Sequence, residues 1–159
     1  MPQYKDALIN LFTMTSEMIE LLPHHGYTID AITWKLDARR REEMQYLARR
    51  KLITLQQEGE KIEFRFNKKG RILALRELVI REEKQLPDGE ALLFIFDIPE
   101  PMRKVRSMLR RLLKEAGFTL LQRSVWHGKS DVLNNFRSLI KDLGVEKYVY
   151  IYRILDEYR

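Results

Sequence analysis

The stretch that decides the fold of the second half of the chain is "ALLFIFDIPEPMRKVRSMLRRLL", residues 91–113. Its opening run of apolar residues predicts a buried strand, and Asp97 follows that run at once, ahead of two prolines. After the prolines, apolar residues recur at helical spacing, so we expect a helix over residues 102–116 that ends at Gly117. The stretch therefore predicts a strand and a helix, with an acidic residue at the end of the strand.

The remaining residues predict three more strands and one more helix. Residues 118–127 are extended and apolar, and we expect a kink or bulge near Arg123 because no two-residue turn signal is present. Residues 133–143 fit a helix ended by Gly144, and "EKYVYIYRIL" fits a final strand. The order β-α-β-β-α-β predicts a ferredoxin-like (βαββαβ) domain over residues 91–159, with helices on one face of an antiparallel sheet.

The first 80 residues have a different pattern. Apolar spacing predicts three helices, over residues 4–22, 29–36 and 38–50. A period of two then predicts a β-hairpin with Gly59 in its turn, formed by strands 52–56 and 62–66. A further helix is expected after Asn67. Together these elements make the chain α+β and predict an N-terminal winged helix-turn-helix over residues 1–80, joined by a charged linker, residues 81–90.

The third predicted helix begins with three arginines, where the helix dipole disfavours positive charge. Phosphates of a DNA backbone would offset that cost, and the start of such a helix reads base edges in helix-turn-helix proteins. The predicted DNA-binding residues are Arg39, Arg40, Arg41 and Gln45 on this helix, with Lys61, Arg65, Lys68 and Lys69 on and after the hairpin. The alternative is a solvated face on which Asp37, Glu42 and Glu43 neutralise the arginines; Asp37 also fits as the N-cap.

Composition limits the possible functions. The 159 residues contain 29 basic and 23 acidic residues, a net charge of +6 that favours a polyanionic partner. The absence of cysteine excludes disulfides and thiolate zinc sites. No apolar run is long enough to span a bilayer, and the start "MPQYKDALINLF" has no secretory pattern. We therefore expect a cytoplasmic protein with no membrane partner.

The excess positive charge lies in the second half of the chain. Residues 91–159 hold 13 basic and 8 acidic residues, a balance of +5, whereas residues 1–90 hold 16 and 15, a balance of +1. Much of the excess lies on one predicted helix, at Arg103, Lys104, Arg106, Arg110, Arg111 and Lys114. Such a stripe can follow a phosphate backbone, and it can equally be an ordinary solvated helix face.

Residues 92–128, "LLFIFDIPEPMRKVRSMLRRLLKEAGFTLLQRSVWHG", resemble the Cas2 family of CRISPR-associated proteins. They resemble more closely the Cas2-like central domain of the PaaX family of transcriptional repressors, through "FDIPE", "LLKEAGF" and "LLQRSVWHG". The PaaX family also places a winged helix in front of this domain, so the resemblance extends over nearly the whole chain. The sequence departs from the CRISPR-associated family at residues 100–102, where a further acid and a lysine are usual.

The resemblance implies a role for the acid at the end of the strand. In the CRISPR-associated family this acid lies near the two-fold axis of a homodimer, so Asp97 and its symmetry mate would share Mg²⁺ for phosphodiester cleavage. Ser124 and His127 are candidates to lie nearby. The alternative, which we prefer from the residues, is that Asp97 caps the helix that follows.

The final strand carries Tyr148, Tyr150 and Tyr152 at alternate positions, so we expect them to share one face of the sheet. Such a face is typical of a dimer interface, and in RNA-recognition modules it stacks bases. The sequence as a whole predicts a homodimeric protein that binds double-stranded DNA, a transcriptional regulator of PaaX type that needs no cofactor. The alternatives are a CRISPR-associated, Mg²⁺-dependent endonuclease or spacer-acquisition component with Asp97 as its catalytic residue, and, more weakly, an RNA-binding module.

Overall fold

The computed structural model describes residues 4–19, 27–30, 38–59 and 61–155. The chain divides into two compact units, the first ending at Ala74 and the second beginning at Leu75. Five helices and two antiparallel sheets lie within the described residues, so the fold is α+β. None of these helices is both long enough and apolar enough to cross a lipid bilayer.

The first unit combines helices with a three-stranded antiparallel sheet whose strand order is β1-β3-β2. Its elements are α1 (Tyr4–Ile19), β1 (Tyr27–Asp30), α2 (Ala38–Arg49), β2 (Ile53–Glu58), β3 (Lys61–Phe66) and α3 (Lys68–Ile80), the last of which continues into the second unit. The predicted hairpin is confirmed, with Gly59 in the turn at a φ of 61°.

The start of the predicted second helix, 29–36, is wrong. Ile29 and Asp30 belong to β1, where they lie opposite Ile62 and Lys61 of β3. The physical reason is that the β-branched Thr28 and Ile29 suit a strand beside an available hairpin edge. The rest of that helix, residues 31–36, lies outside the described residues, as do the end of the first predicted helix and the proposed N-cap, Asp37.

The core of the first unit lies between α1, α2 and the hairpin. Leu8 of α1 and Leu47 of α2 are fully buried, and Met44 and Phe64 are nearly so. Met44 and Leu47 are the buried residues of α2, so they form the side of this helix that faces the core. Removing these apolar side chains from water is the main term that holds the helices on the sheet.

Asn67 joins the hairpin to α3 as a helix cap. Its Oδ1 accepts a hydrogen bond from the backbone N–H of Gly70 at 2.9 Å, and its Nδ2 donates to the carbonyl of Lys51. Its own N–H donates to the carbonyl of Leu52 at 3.1 Å. Gly70 is also the point of closest approach, because a Cβ there would lie 2.0 Å from the Leu52 carbonyl oxygen.

The second unit has a four-stranded antiparallel sheet in the order β5-β6-β4-β7, which is the predicted ferredoxin-like arrangement. Its further elements are β4 (Glu90–Phe96), α4 (Arg103–Glu115), β5 (Thr119–Gln122), β6 (Val125–Gly128), α5 (Leu133–Leu143) and β7 (Val149–Leu155). Short 3₁₀ turns, Glu100–Met102 and Glu146–Tyr148, precede α4 and β7.

Alternation along β4 separates the two faces of this sheet. Leu92, Phe94 and Phe96 are buried, whereas Leu93 and Ile95 on the other face are half-buried. The Phe94 ring lies 4.5 Å from the ring of Phe136, on α5, between centroids. Leu109, Leu112 and Leu113 of α4 are also buried.

The predicted bends and helix ends are confirmed. The register of β5 against β6 shifts between Leu120 and Gln122, and Arg123 in the connecting turn has a φ of 30°. Gly117 follows α4 at a φ of 82°, and Gly144 follows α5 at 70°. Only glycine adopts these left-handed values without a steric cost, which is why both helices end there.

Candidate nucleic-acid interface

One side of α2 carries polar residues at helical spacing. Arg41, Gln45 and Arg49 lie at positions i, i+4 and i+8, so their side chains share one side of the helix. Gln45 and Arg49 are exposed and Arg41 is half-exposed, whereas Met44 and Leu47 face the core. This side can donate several hydrogen bonds to phosphates or base edges.

The other two predicted arginines on α2 have different surroundings. The Nε of Arg39 donates to Glu43 Oε1 at 3.2 Å, a pair one helical turn apart. Arg40 lies beside Met44 and Leu47, where it helps line a small cleft against α1. The structure therefore brings Arg41 and Gln45 together and separates them from Arg39 and Arg40.

The hairpin residues predicted to contact DNA are also spread apart. Arg65 is exposed, but its Nε donates to Glu63 Oε1 at 2.7 Å. Lys61 is the first residue of β3, opposite Glu58. Lys68 and Lys69 are exposed in the first turn of α3, which contains no acidic residue.

Sequence reasoning did not include Arg49 among the DNA-binding residues. The signal was present in the spacing, since Arg49 follows the predicted Gln45 by four residues and therefore lies on the same side of α2. The adjacent Arg50 has another role. Its guanidinium lies 5.1 Å from the ring centroid of Tyr4 and 5.0 Å from that of Tyr46, so it joins α1 to α2 by cation–π contacts.

At the end of β4, three segments of the second unit meet around Asp97. The N–H of Asp97 donates to the carbonyl of Tyr148 at 3.0 Å, and the N–H of Phe96 donates to the carbonyl of Ser124 at 3.2 Å. Ser124 is therefore close to Asp97, as expected. His127 is not, because it lies opposite Leu93, four residues back along the strand, or about 13 Å away.

The preferred explanation for Asp97, that it caps the next helix, is wrong. The 3₁₀ turn begins after Pro99, and α4 begins after Met102; neither start has a side-chain cap. Asp97 lies six residues before Arg103, the first residue of α4, and its side chain makes no cap hydrogen bond to either helix start. The Asp97 side chain is exposed instead.

Glu100, three residues after Asp97, has a carboxylate that is already paired with Arg106. Glu100 Oε2 accepts from Arg106 Nη2 at 2.7 Å, while Arg106 Nη1 donates to the carbonyl of Ile98 at 3.0 Å. The part of the chain that the structure describes holds no group of three or more acidic or histidine side chains able to bind a metal ion. Within one chain Asp97 alone does not complete a Mg²⁺ site, since Mg²⁺ needs several well-placed oxygens.

The tyrosine face is smaller than the sequence predicted. Tyr148 ends the 3₁₀ turn before β7 and is half-buried, with Lys147 Nζ 4.9 Å from its ring centroid. Tyr150 and Tyr152 are on β7, with 54% and 50% of their surfaces exposed. They lie opposite Ile95 and Leu93 of β4, so two tyrosines and two aliphatic side chains form an open sheet face.

These features define a class of protein in which a unit of helices and a three-stranded sheet is followed along the chain by a ferredoxin-like domain. The family model for the PaaX protein central Cas2-like domain matches residues 84–155. This segment belongs to that domain family, and the chain is PaaX-like in carrying it, which confirms the resemblance seen in the sequence. No curated protein matches the chain.

Proposed function

We propose that the protein is a homodimeric regulator of transcription that binds double-stranded DNA in the cytoplasm through its first unit. The observation that carries this proposal is the polar side of α2, Arg41, Gln45 and Arg49, on a helix packed against a hairpin and its sheet. That arrangement is expected of a winged helix-turn-helix domain, in which such a helix enters the major groove. The PaaX-type second unit supports a regulator rather than an enzyme.

The arrangement of charges around α2 supports phosphate binding. The first turns of α2 and α3 contain no acidic residue, although both begin with basic residues. Positive charge at a helix start costs a few tenths of a kcal/mol per residue, and a bound phosphate offsets it. We expect Arg41 and Gln45 to contact base edges, and Lys68 and Lys69 to contact the backbone.

A gel-shift titration on mixed-sequence genomic duplex fragments tests DNA binding. We expect Arg41→Gln to weaken binding by about tenfold, which corresponds to roughly 1.4 kcal/mol. Arg39→Gln is the matched control, because Arg39 is engaged with Glu43, and it should weaken binding less. Equal effects of the two variants would contradict the assignment of the Arg41 side of α2. No shift of any duplex by the wild type would contradict the function itself.

Dimerisation through the second unit is supported by its open sheet face. Tyr150 and Tyr152 are about half exposed, and Leu93 and Ile95 lie opposite them on β4 and are half-buried, so this face presents aromatic and apolar surface. Aromatic residues are enriched at protein interfaces because they bury large areas and keep one polar group. A two-fold dimer also suits the reading of paired DNA half-sites.

One observation favours a second candidate function, a Mg²⁺-dependent nuclease. The Asp97 carboxylate is exposed at a strand end and caps no helix, so a structural reason for an acid there is missing from its surroundings. A symmetry-related Asp97 could supply the second carboxylate that one chain lacks. Cleavage of labelled duplex that requires both Mg²⁺ and Asp97 would support this candidate.

A further inference from the structure

Helix α4 presents a continuous line of positive charge directly opposite its buried side. Leu109, Leu112 and Leu113 face the core, and the opposite side holds exposed residues at helical spacing. These are Arg103, Lys104, Ser107, Arg111 and Lys114, a set that we call the α4 stripe. Four cations and one hydroxyl therefore share a side of α4 that contains no apolar residue.

The four cations of the α4 stripe have no ion-pair partner within residues 61–155, whereas several basic residues outside the stripe are paired with carboxylates. Arg39, Arg65, Arg81, Lys84 and Arg153 each form an ion pair with a carboxylate. On α4 itself, Arg106 pairs with Glu100. Within residues 61–155 no carboxylate lies in ion-pair range of Arg103, Lys104, Arg111 or Lys114. Glu115, one turn after Arg111, does not pair with it either.

Two further arginines of α4 make hydrogen bonds that fix the position of the helix. Arg106 is held by the carbonyl of Ile98, and Arg110 Nη2 lies 3.4 Å from both the carbonyl of Arg123 and the hydroxyl of Ser124. These contacts hold α4 against the end of β4 and the β5–β6 turn. Arg123 in that turn is itself exposed. The cations of the α4 stripe therefore lie on a helix whose position is fixed by these contacts.

The dimensions suit a nucleic-acid backbone. From Arg103 to Lys114 the helix rises about 16 Å, at about 1.5 Å per residue. Phosphates of one DNA strand are spaced about 3.4 Å along the helix axis, but the strand winds around that axis, so a straight stripe can reach roughly two or three successive phosphates. The stripe also begins in the first turn of α4, where the dipole disfavours cations and no acidic residue compensates.

We infer that the α4 stripe is a second DNA-contacting surface, which binds the phosphate backbone of duplex DNA without reading its sequence. This inference rests on the proposed function, because it assigns a further surface to the same partner. Its contribution is electrostatic, through release of counterions from the phosphates. The stripe then raises the affinity for all duplexes alike, while α2 carries the sequence preference.

The test compares the salt dependence of duplex binding for full-length variants. The stripe variant is Arg103→Gln, Arg111→Gln, Lys114→Gln. The matched control removes three exposed cations elsewhere in the second unit: Lys129→Gln, Arg137→Gln, Lys141→Gln. Each phosphate contact contributes about 0.9 to the slope of log K against log salt, so the stripe variant should lower that slope by about 2 to 3. The control should lower it by less than about 1.

Each outcome decides the inference. A stripe-specific fall in slope for every duplex, with thermal unfolding unchanged, supports it. Equal falls in the stripe and control variants overturn it, because net charge alone would then explain binding. Loss of single-stranded RNA binding with duplex binding intact also overturns it. If Arg41→Gln weakens duplex binding and the stripe variant does not, only the stripe assignment fails; if the wild type binds no duplex, the proposed function fails first.

Discussion

The backbone N–H of Asp97 donates to the carbonyl of Tyr148 at 3.0 Å, which joins the end of β4 to the turn before β7. The bond uses only backbone atoms, so the Asp97 carboxylate is left exposed to solvent. The structural role of position 97 therefore does not depend on which side chain it carries. Any residue except proline could make the same bond, so an acid is not needed for it.

We therefore predict that Asp97→Ala, which removes both carboxylate oxygens, leaves the stability of the protein within about 0.5 kcal/mol of the wild type, as expected of an exposed side chain. The measurement is chemical denaturation followed by circular dichroism. Asn67→Ala, which removes a real helix cap, serves as the comparison. A loss of more than about 1 kcal/mol in Asp97→Ala would restore the capping hypothesis that the structure rejects.

The cap itself predicts that Asn67→Ala destabilises the first unit by about 1 to 2 kcal/mol, since the variant leaves the N–H of Gly70 and the carbonyl of Lys51 without their partners. Denaturant midpoints measure the loss. Asn134→Ala in the first turn of α5 is the control, because Asn134 is exposed and alanine is the better helix former. A comparable loss in both variants would mean that Asn67 is not a cap.

The backbone of Leu52 leaves no space for a methyl group at position 70. The Cβ of Gly70→Ala would meet backbone atoms of Leu52, which cannot move aside like a flexible side chain. We expect a loss of about 1 to 3 kcal/mol or more, measured by thermal unfolding. Gly59→Asn is the control, since nothing lies within 4 Å of its Cβ and asparagine tolerates the left-handed conformation. A neutral Gly70→Ala would contradict the close approach of α3 to Leu52.

The open sheet face predicts the site of dimerisation. Replacing Tyr150 and Tyr152 with alanine should raise the dimer dissociation constant by about tenfold or more, because buried interface tyrosines commonly contribute over about 1 kcal/mol each. Sedimentation over a concentration series measures it. Leu120→Ala, Leu121→Ala is the control, since these exposed residues lie on the opposite edge strand, β5. Dissociation by the β5 variant alone would move the interface to that edge.

Local sequence patterns were sufficient to predict most elements of the fold. Residues 133–143 form the helix that apolar spacing predicted, and Gly117 and Gly144 end their helices because a left-handed residue is needed there. The bend near Arg123 followed from the lack of a turn signal between two apolar segments. The exception is Ile29, where a strand depends on pairing with a hairpin 30 residues further along the chain.

The candidate sites depended more on tertiary contacts than on spacing. Sequence alone determined that α2 and α4 carry clustered cations and that an acid follows β4, since these are properties of neighbouring residues. Only the tertiary structure decided which cations are neutralised, because Arg106 meets Glu100 across a 3₁₀ turn and Arg153 meets Glu90 across two strands. It also decided that Asp97 caps nothing and that His127 lies far from it, since both facts follow from strand register and helix start, which composition and periodicity do not specify.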